Sequence, residues 1–145
     1  TPNLLENLEY ADIVRGSIED FKVLYNMNDA FKVYQSEISF YCKKFVYTQG
    51  ADPVKLFAEN GFQKQYPIEN STPVSTIGAG DNFNAGLLYG LIRYGITRDT
   101  LQQGLSENQW DLVIACAQRF SAECCKSLFN YVSTEFGAHM KAELA

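Results

Sequence analysis

The 145-residue sequence contains one histidine, and none of its four cysteines forms a C-x-x-C pair. Because His139 lies close to the carboxyl end, a histidine-based triad or metal site has little support. All four cysteines lie in apolar stretches for which we expect helix. Adjacent helical residues point in different directions, so Cys124 and Cys125 are poorly placed for a disulfide. We therefore predict free, buried thiols in a reducing cytoplasm.

Clusters of positive charge and long apolar runs are also missing. Twelve basic residues face 17 acidic ones, giving a net charge of −5, and the longest basic cluster is Lys43-Lys44. Such a surface does not predict binding to nucleic acid or to anionic lipid. The longest apolar run, residues 87–92, is too short to cross a membrane, and no signal peptide is expected at the start. A phosphorylated ligand would need a local site made of backbone amides and a metal.

The order of apolar runs and turn signals predicts an α/β fold, a sheet covered by helices. Strands are predicted at residues 11–15, 44–49, 54–58 and 62–67, the last two joined by a hairpin turn at Asn60-Gly61. Helices are predicted from Ser17, from Asp29, from the glycine-rich segment to about Tyr94, and over residues 108–129. The aromatic side chains Phe31, Tyr34 and Tyr41 are expected in the core.

The segment Gly78-Ala79-Gly80-Asp81 precedes a mostly apolar helix. Glycines without Cβ atoms let an anion approach the backbone, and the amides at a helix start favour phosphate or a developing oxyanion. A carboxylate in the first turn could accept the proton of an alcohol, so these parts suit phosphoryl transfer. An ordinary glycine-rich helix start, with Asp81 stabilising it, is about as probable from physics alone. The pattern is neither a dinucleotide fingerprint nor a Walker loop, because Phe83 replaces the third glycine and no Gly-Lys-Ser/Thr follows.

Residues 75–86, STIGAGDNFNAG, closely resemble the signature D-T-x-G-A-G-D of the PfkB family of kinases. The resemblance implies a ribokinase-like three-layer α/β/α fold, of which residues 1–145 would be the carboxyl-terminal portion, a single partial domain. It assigns the role of catalytic base to Asp81 and the anion hole to the amides of Gly78, Ala79 and Gly80. The substrate-binding and lid half of such a fold would lie upstream.

Other segments follow the family pattern in order. Ser17 and Asp20 align with an N-x-x-E motif that organises magnesium through water, although S-x-x-D is equally a helix capping box. Thr48 and Gly50 resemble a T-x-G that meets the nucleotide, although Thr48 alone reads as an ordinary strand residue.

The resemblance also implies that Thr76 and Asn130 contact the nucleotide, together with Gly78 and Gly80 of the signature. Ser75 stands where many family members have Asp, so dependence on a monovalent cation stays open.

The resemblance implies an ATP- and Mg²⁺-dependent carbohydrate kinase, fructokinase-like, acting on a small-molecule sugar. Two alternatives are a kinase of the same fold acting on a nucleoside or vitamin, and a non-catalytic nucleotide-binding relative. The 145 residues alone are expected to be inactive, because nothing in them would orient a sugar. An open sheet edge is expected to favour self-association, for example as a homodimer.

Overall fold

The structure is a computed structural model and describes residues 2–69 and 72–145. The chain divides into two compact units, Thr1–Glu69 and Asn70–Ala145. The first unit contains the sheet, and the second consists of helices and their connections in the part of the chain that the structure describes.

Four strands form one sheet in the order β1-β2-β3-β4. They are β1 (Val14–Ser17), β2 (Phe45–Gln49), β3 (Asp52–Phe57) and β4 (Gln63–Tyr66). β1 is parallel to β2, whereas β2, β3 and β4 pair antiparallel in sequence. All four predicted strands are confirmed, although β1 begins three residues later than predicted because residues 12 and 13 form a bend.

The turn between β3 and β4 confirms the hairpin predicted at Asn60-Gly61. Both residues have positive φ, 59° and 75°, and the Phe62 amide donates to the Glu59 carbonyl at 3.2 Å. Positive φ at both central residues is what a tight turn matching the strand twist requires, and Asn-Gly is the dipeptide that best adopts it.

Three helices accompany the sheet: α1 (Pro2–Tyr10), α2 (Ile18–Tyr25) and α3 (Ala30–Val33), the last continuing into a π-helical turn over Tyr34–Ile38. One buried hydrophobic cluster of this unit contains Leu8, Phe21, Ala30, Val33, Ile38, Cys42, Phe45, Tyr47 and Phe57. Tyr34 and Tyr41 pack against it as predicted. The prediction is wrong for Phe31, whose residue is 45% exposed, because α3 is one turn long and its other face is buried.

The second unit contains α4 (Ala79–Arg93), α5 (Arg98–Gln103), α6 (Glu107–Cys124) and α7 (Thr134–Glu143). Helices α4 and α6 approach each other closely where α4 has glycine. A Cβ atom on Gly86 would lie 2.6 Å from Ala117 Cα, and one on Gly90 would lie 3.1 Å from Val113 Cα. The two glycines, four residues apart on one helix face, therefore allow backbone-to-backbone packing.

Four expectations need correction. The long helix ends at Cys124 rather than at residue 129, because the following amides, those of Lys126 and Ser127, bond three residues back instead of four. Three helices, α1, α5 and α7, lie outside the predicted set, because segments of only six to ten residues give a weak periodic signal. Cys42 lies in a connection rather than in a helix. All four cysteines are free thiols as predicted, but only Cys42, Cys116 and Cys124 are buried, whereas Cys125 is partly exposed. Within residues 2–69 and 72–145, no helix has the length and apolar character needed to cross a membrane.

Candidate functional site

Helix α4 begins at Gly78, which has φ of 80° and makes no side-chain cap. A Cβ atom at this residue would also lie 2.6 Å from the carbonyl oxygen of Asn130. Only glycine satisfies both the left-handed conformation and the close approach. The glycine turn thus rests directly on the backbone of Asn130, and two predicted site residues are brought together.

The first turn of α4 keeps amides available for a ligand. The Ala79 N–H donates to the Thr76 carbonyl at 3.2 Å. Among residues 2–69 and 72–145, the N–H groups of Gly80 and Asp81 have no hydrogen-bond acceptor. The Asp81 carboxylate, at the third helical position, is exposed and likewise has no partner within those ranges. Unpaired amides beside a free carboxylate form an anion-binding helix end with a proton acceptor at its rim.

The loop before this turn is tied to the end of α6. The amides of Val74 and Ser75 both donate to the Cys125 carbonyl, at 2.8 and 3.4 Å. The Ser75 hydroxyl in turn accepts from the Ile77 amide at 3.2 Å. Ser75, which stands where the family signature has Asp, therefore serves a local turn in this structure.

In the first unit, Ser17 and Asp20 form a closed capping box at the start of α2. The Asp20 carboxylate accepts from the Ser17 amide and hydroxyl, both at 2.8 Å, and the Asp20 amide donates to the Ser17 hydroxyl at 3.3 Å. The hydrogen bond from the Ser17 amide, with the nearby Arg15 charge as a lesser cause, holds the pKa of Asp20 below its usual range. The capping interpretation of S-x-x-D is confirmed.

Thr48 lies directly beside Ser17, because the two residues are register partners on the parallel strands β1 and β2. Its hydroxyl accepts from the Arg15 guanidinium at 2.8 Å and lies 3.4 Å from the Gly16 carbonyl. Gly50 follows the strand with φ of 63° and open space around it. Ser17, Asp20 and Thr48 therefore meet at the carboxyl ends of two parallel strands, where ligands of α/β proteins commonly bind.

The predicted residues thus form two groups, one in each unit.

Magnesium prefers oxygen ligands and retains several waters. Both Ser17 bonds fall on one carboxylate oxygen of Asp20, Oδ2, so the other oxygen can accept from a metal-bound water. Within the described ranges, no cluster of three or more His, Cys, Asp or Glu could hold a metal directly. The geometry fits the indirect role predicted for Ser17 and Asp20.

Two open clefts lie in the first unit. One of about 380 Å³, between α3 and the β3–β4 pair, contains none of the predicted site residues. A smaller one of about 180 Å³ is bordered by Arg15, Gly16 and Asp20. The larger cleft therefore does not mark the predicted site, which is better located by the positions of its carboxylates and amides.

Sequence reasoning missed two residues at the glycine turn. The Asn82 side chain bonds to the Gly78 and Asn130 carbonyls, at 2.9 and 3.1 Å, and the buried Cys124 thiol lies beside it at 3.2 Å. Asn82 was visible within the signature, but no sequence signal connects it to a cysteine 42 residues later.

Residues 1–126 match the family described as pfkB family carbohydrate kinase. No curated protein gives a significant match. Solved structures with a similar fold include a fructokinase from Vibrio cholerae O395 in fructose-, ADP- and potassium-bound form, with 22% identity and a TM-score of 0.74. Another is an aminoimidazole riboside kinase from Salmonella enterica, with 19% identity and a TM-score of 0.69.

Each alignment covers 99% of this chain, but only 44% of the fructokinase and 46% of the riboside kinase. An adenosine kinase from Anopheles gambiae is 25% identical over 88% of this chain and 38% of its own, with a TM-score of 0.59. The chain therefore spans less than half the length of these kinases. The predicted ribokinase-like α/β fold is confirmed, for that portion.

Proposed function

The chain belongs to the pfkB family of carbohydrate kinases, and from this membership we propose that it forms the nucleotide-binding and catalytic half of an ATP-dependent sugar kinase. The reaction transfers the γ-phosphoryl group of ATP to a sugar hydroxyl. A PfkB-family chain with an intact Gly78-Ala79-Gly80-Asp81 segment retains the parts that this chemistry needs.

The start of α4 is the observation that carries the proposal. Asp81 would accept the proton of the sugar hydroxyl. At the same time the hydroxyl oxygen would form a bond to the γ-phosphorus, and the bond from that phosphorus to the leaving ADP oxygen would break. The amides of Gly78 and Gly80 from the predicted anion hole, with the free Asp81 amide beside them, would stabilise the charge on the transferring group. The Ala79 amide could join them only by leaving the Thr76 carbonyl.

ATP and Mg²⁺ are the cofactors of the proposed reaction. Thr48, Gly50, Thr76 and Asn130 would contact the nucleotide. Ser17 and Asp20 would hold waters of the metal. When bound, Mg²⁺ neutralises phosphate charge and orients the phosphates for in-line transfer.

The first candidate for the phosphoryl acceptor is a sugar, and the second candidate is a nucleoside. The second candidate has a specific basis, because the structural neighbours include an aminoimidazole riboside kinase and an adenosine kinase beside the fructokinase. These likenesses lie at or below 25% identity, so they do not choose between the two classes.

The function is tested with the full-length product of the gene and with residues 1–145 alone. ADP release is measured with fructose, ribose, adenosine and aminoimidazole riboside, and without acceptor as the control. We expect acceptor-dependent turnover by the full-length product and none by the 145 residues. Positioning of the acceptor supplies about 7–11 kcal/mol of such a barrier, and no acceptor site is expected in this portion. Absence of turnover with every acceptor, together with tight ATP binding, would indicate a non-catalytic relative instead.

A further inference from the structure

One side-chain amide joins three segments of the second unit. The Asn82 Nδ2 atom lies 2.9 Å from the Gly78 carbonyl oxygen, 3.1 Å from the Asn130 carbonyl oxygen and 3.2 Å from the Cys124 sulfur. Asn82 belongs to the first turns of α4, Cys124 ends α6, and Asn130 lies in the connection to α7. The glycine turn is thereby tied to both of the segments that support it.

Both N–H donors of this amide are used. An Asn side chain has two N–H donors, and two carbonyl oxygens stand at hydrogen-bond distance. The Cys124 sulfur fills the space behind them, fully buried, and its S–H points to the Ile77 carbonyl at 3.5 Å. Burial, and to a lesser extent Cys125 and Asp81, raises the pKa of the Cys124 thiol, which keeps this donor protonated at neutral pH.

These contacts fix the peptide plane that sets the direction of the following amides. The Gly78 carbonyl accepts from both the backbone and the side chain of Asn82, at 3.0 and 2.9 Å. Once that carbonyl is held toward α4, rotation of the turn is blocked and the Gly80 and Asp81 amides keep one orientation. Catalytic hydrogen-bond donors act best when their direction is set before the reaction.

We propose that Asn82, seated against Cys124, is a positioning residue that holds the glycine turn and so orients Asp81 and its neighbouring amides. The expected effect of Asn82 on catalysis rests on the proposed kinase function. The turn-holding role itself rests only on the hydrogen bonds. In this proposal Asn82 acts through the turn and is assigned no step in the transfer itself.

The sharpest variant is Asn82→Asp, an isosteric change that places a carboxylate oxygen opposite two carbonyl oxygens about 3 Å away. Asn84→Asp is the matched control, because Asn84 is an exposed residue two positions along the same helix and the charge change is identical. Asn82→Ala removes the donor without adding a charge, and serves if the Asp variant does not fold.

Both readouts use the full-length gene product. In amide hydrogen exchange, we expect residues 73–83 to exchange about tenfold faster in Asn82→Asp and Asn82→Ala than in Asn84→Asp. In steady-state kinetics, we expect kcat to fall about 10²-fold for Asn82→Asp, since a small misplacement of reacting groups can cost that much. The KM for ATP should change far less than kcat, and Asn82→Ala, which adds no charge, should show a fall in kcat with a smaller loss of melting temperature than Asn82→Asp, which separates positioning from general loss of structure.

Two outcomes would overturn the proposal. Equal exchange of residues 73–83 in the Asn82 and Asn84 variants would show that the amide does not hold the turn. Faster exchange with kcat within twofold of the control would show that holding the turn does not matter for catalysis. If the parent protein has no kinase activity, the proposed function fails, and the exchange comparison still decides the turn-holding role.

Discussion

Helices α2 and α4 each carry an aspartate at the third helical position, but one carboxylate is hydrogen-bonded within its helix start and the other is not. Asp20 and Asp81 each occupy the third position of their helix, after Ser17 and Gly78 respectively. Asp20 is held by two bonds of 2.8 Å to its own N-cap residue. Asp81 has no such partner in the described ranges. One carboxylate closes a helix end, and the other is left open to a ligand.

Among the α-helices whose N-cap residue the structure describes, α2 to α7, α4 is the one without a capping side chain. Side-chain caps from Asp29, Thr97, Ser106 and Ser133 close α3, α5, α6 and α7. A capping side chain stabilises a helix by about 1 kcal/mol relative to alanine but by only a few tenths relative to glycine, so α4 begins without such a cap at little cost. Departures from local rules concentrate at functional sites. The contrast supports the proposal that α4 carries the chemistry while α2 serves structure and, through water, the metal.

The largest expected effect separates the two carboxylates. Asp81→Asn should lower kcat by about 10²–10⁴-fold, because the amide cannot accept the proton of the substrate hydroxyl. The change removes a charge from an exposed side chain, so stability should hardly change. Asp20→Asn, measured at saturating Mg²⁺, is the matched control and should keep kcat within a few fold. A coupled assay that gave both variants similar turnover would remove the distinction between the two helix starts.

The second expected effect concerns the glycine that opens α4. Gly78→Ala forces a left-handed alanine, which costs about 1–2 kcal/mol. Its Cβ atom would also lie 2.6 Å from the Asn130 carbonyl oxygen, so the turn must move. We expect kcat to fall about 10²-fold, as for other small misplacements of reacting groups.

The control is Gly95→Ala at the opposite end of α4, where φ is 64° and a Cβ atom would meet open space. It carries the same kind of strain without the collision, so its melting temperature should fall by the strain alone, less than for Gly78→Ala, while kcat stays near that of the parent. Equal losses of kcat in both variants would mean that backbone strain alone, and not the close contact of Gly78 with the Asn130 backbone, accounts for the effect.

Three local signals allowed correct prediction. The capping box of α2, the glycine turn of α4 and the Asn60-Gly61 hairpin are each written within a few adjacent residues, and each was located correctly. Contacts between distant residues were not foreseen. Asn82 meets Cys124 across 42 positions, and Gly86 meets Ala117 only because two helices cross. The family resemblance supplied the roles of Asp81 and the glycines, which periodicity alone left undecided.

The smallest expected effect tests whether Asp20 does more than cap α2. Asp20→Ala should cost about 1 kcal/mol of stability through the lost cap. If its free carboxylate oxygen also orders metal-bound water, the Mg²⁺ concentration for half-maximal rate should rise by about tenfold. Asp29→Ala is the control, because it removes the comparable cap of α3, a bond of 2.9 Å to the Lys32 amide.

Acid unfolding then identifies the capping part of the effect. The pKa of Asp20 is lowered in the folded state from its ordinary 3.8, so the stabilisation is fully present above that value and is lost as pH falls through the folded pKa. The stability gap between the parent and Asp20→Ala should therefore be constant near neutrality and narrow below about pH 3.8. A Mg²⁺ requirement that is unchanged in Asp20→Ala, with the stability loss intact, would leave Asp20 as a cap alone. An equal rise in Asp29→Ala would trace the requirement to loss of stability rather than to metal-bound water.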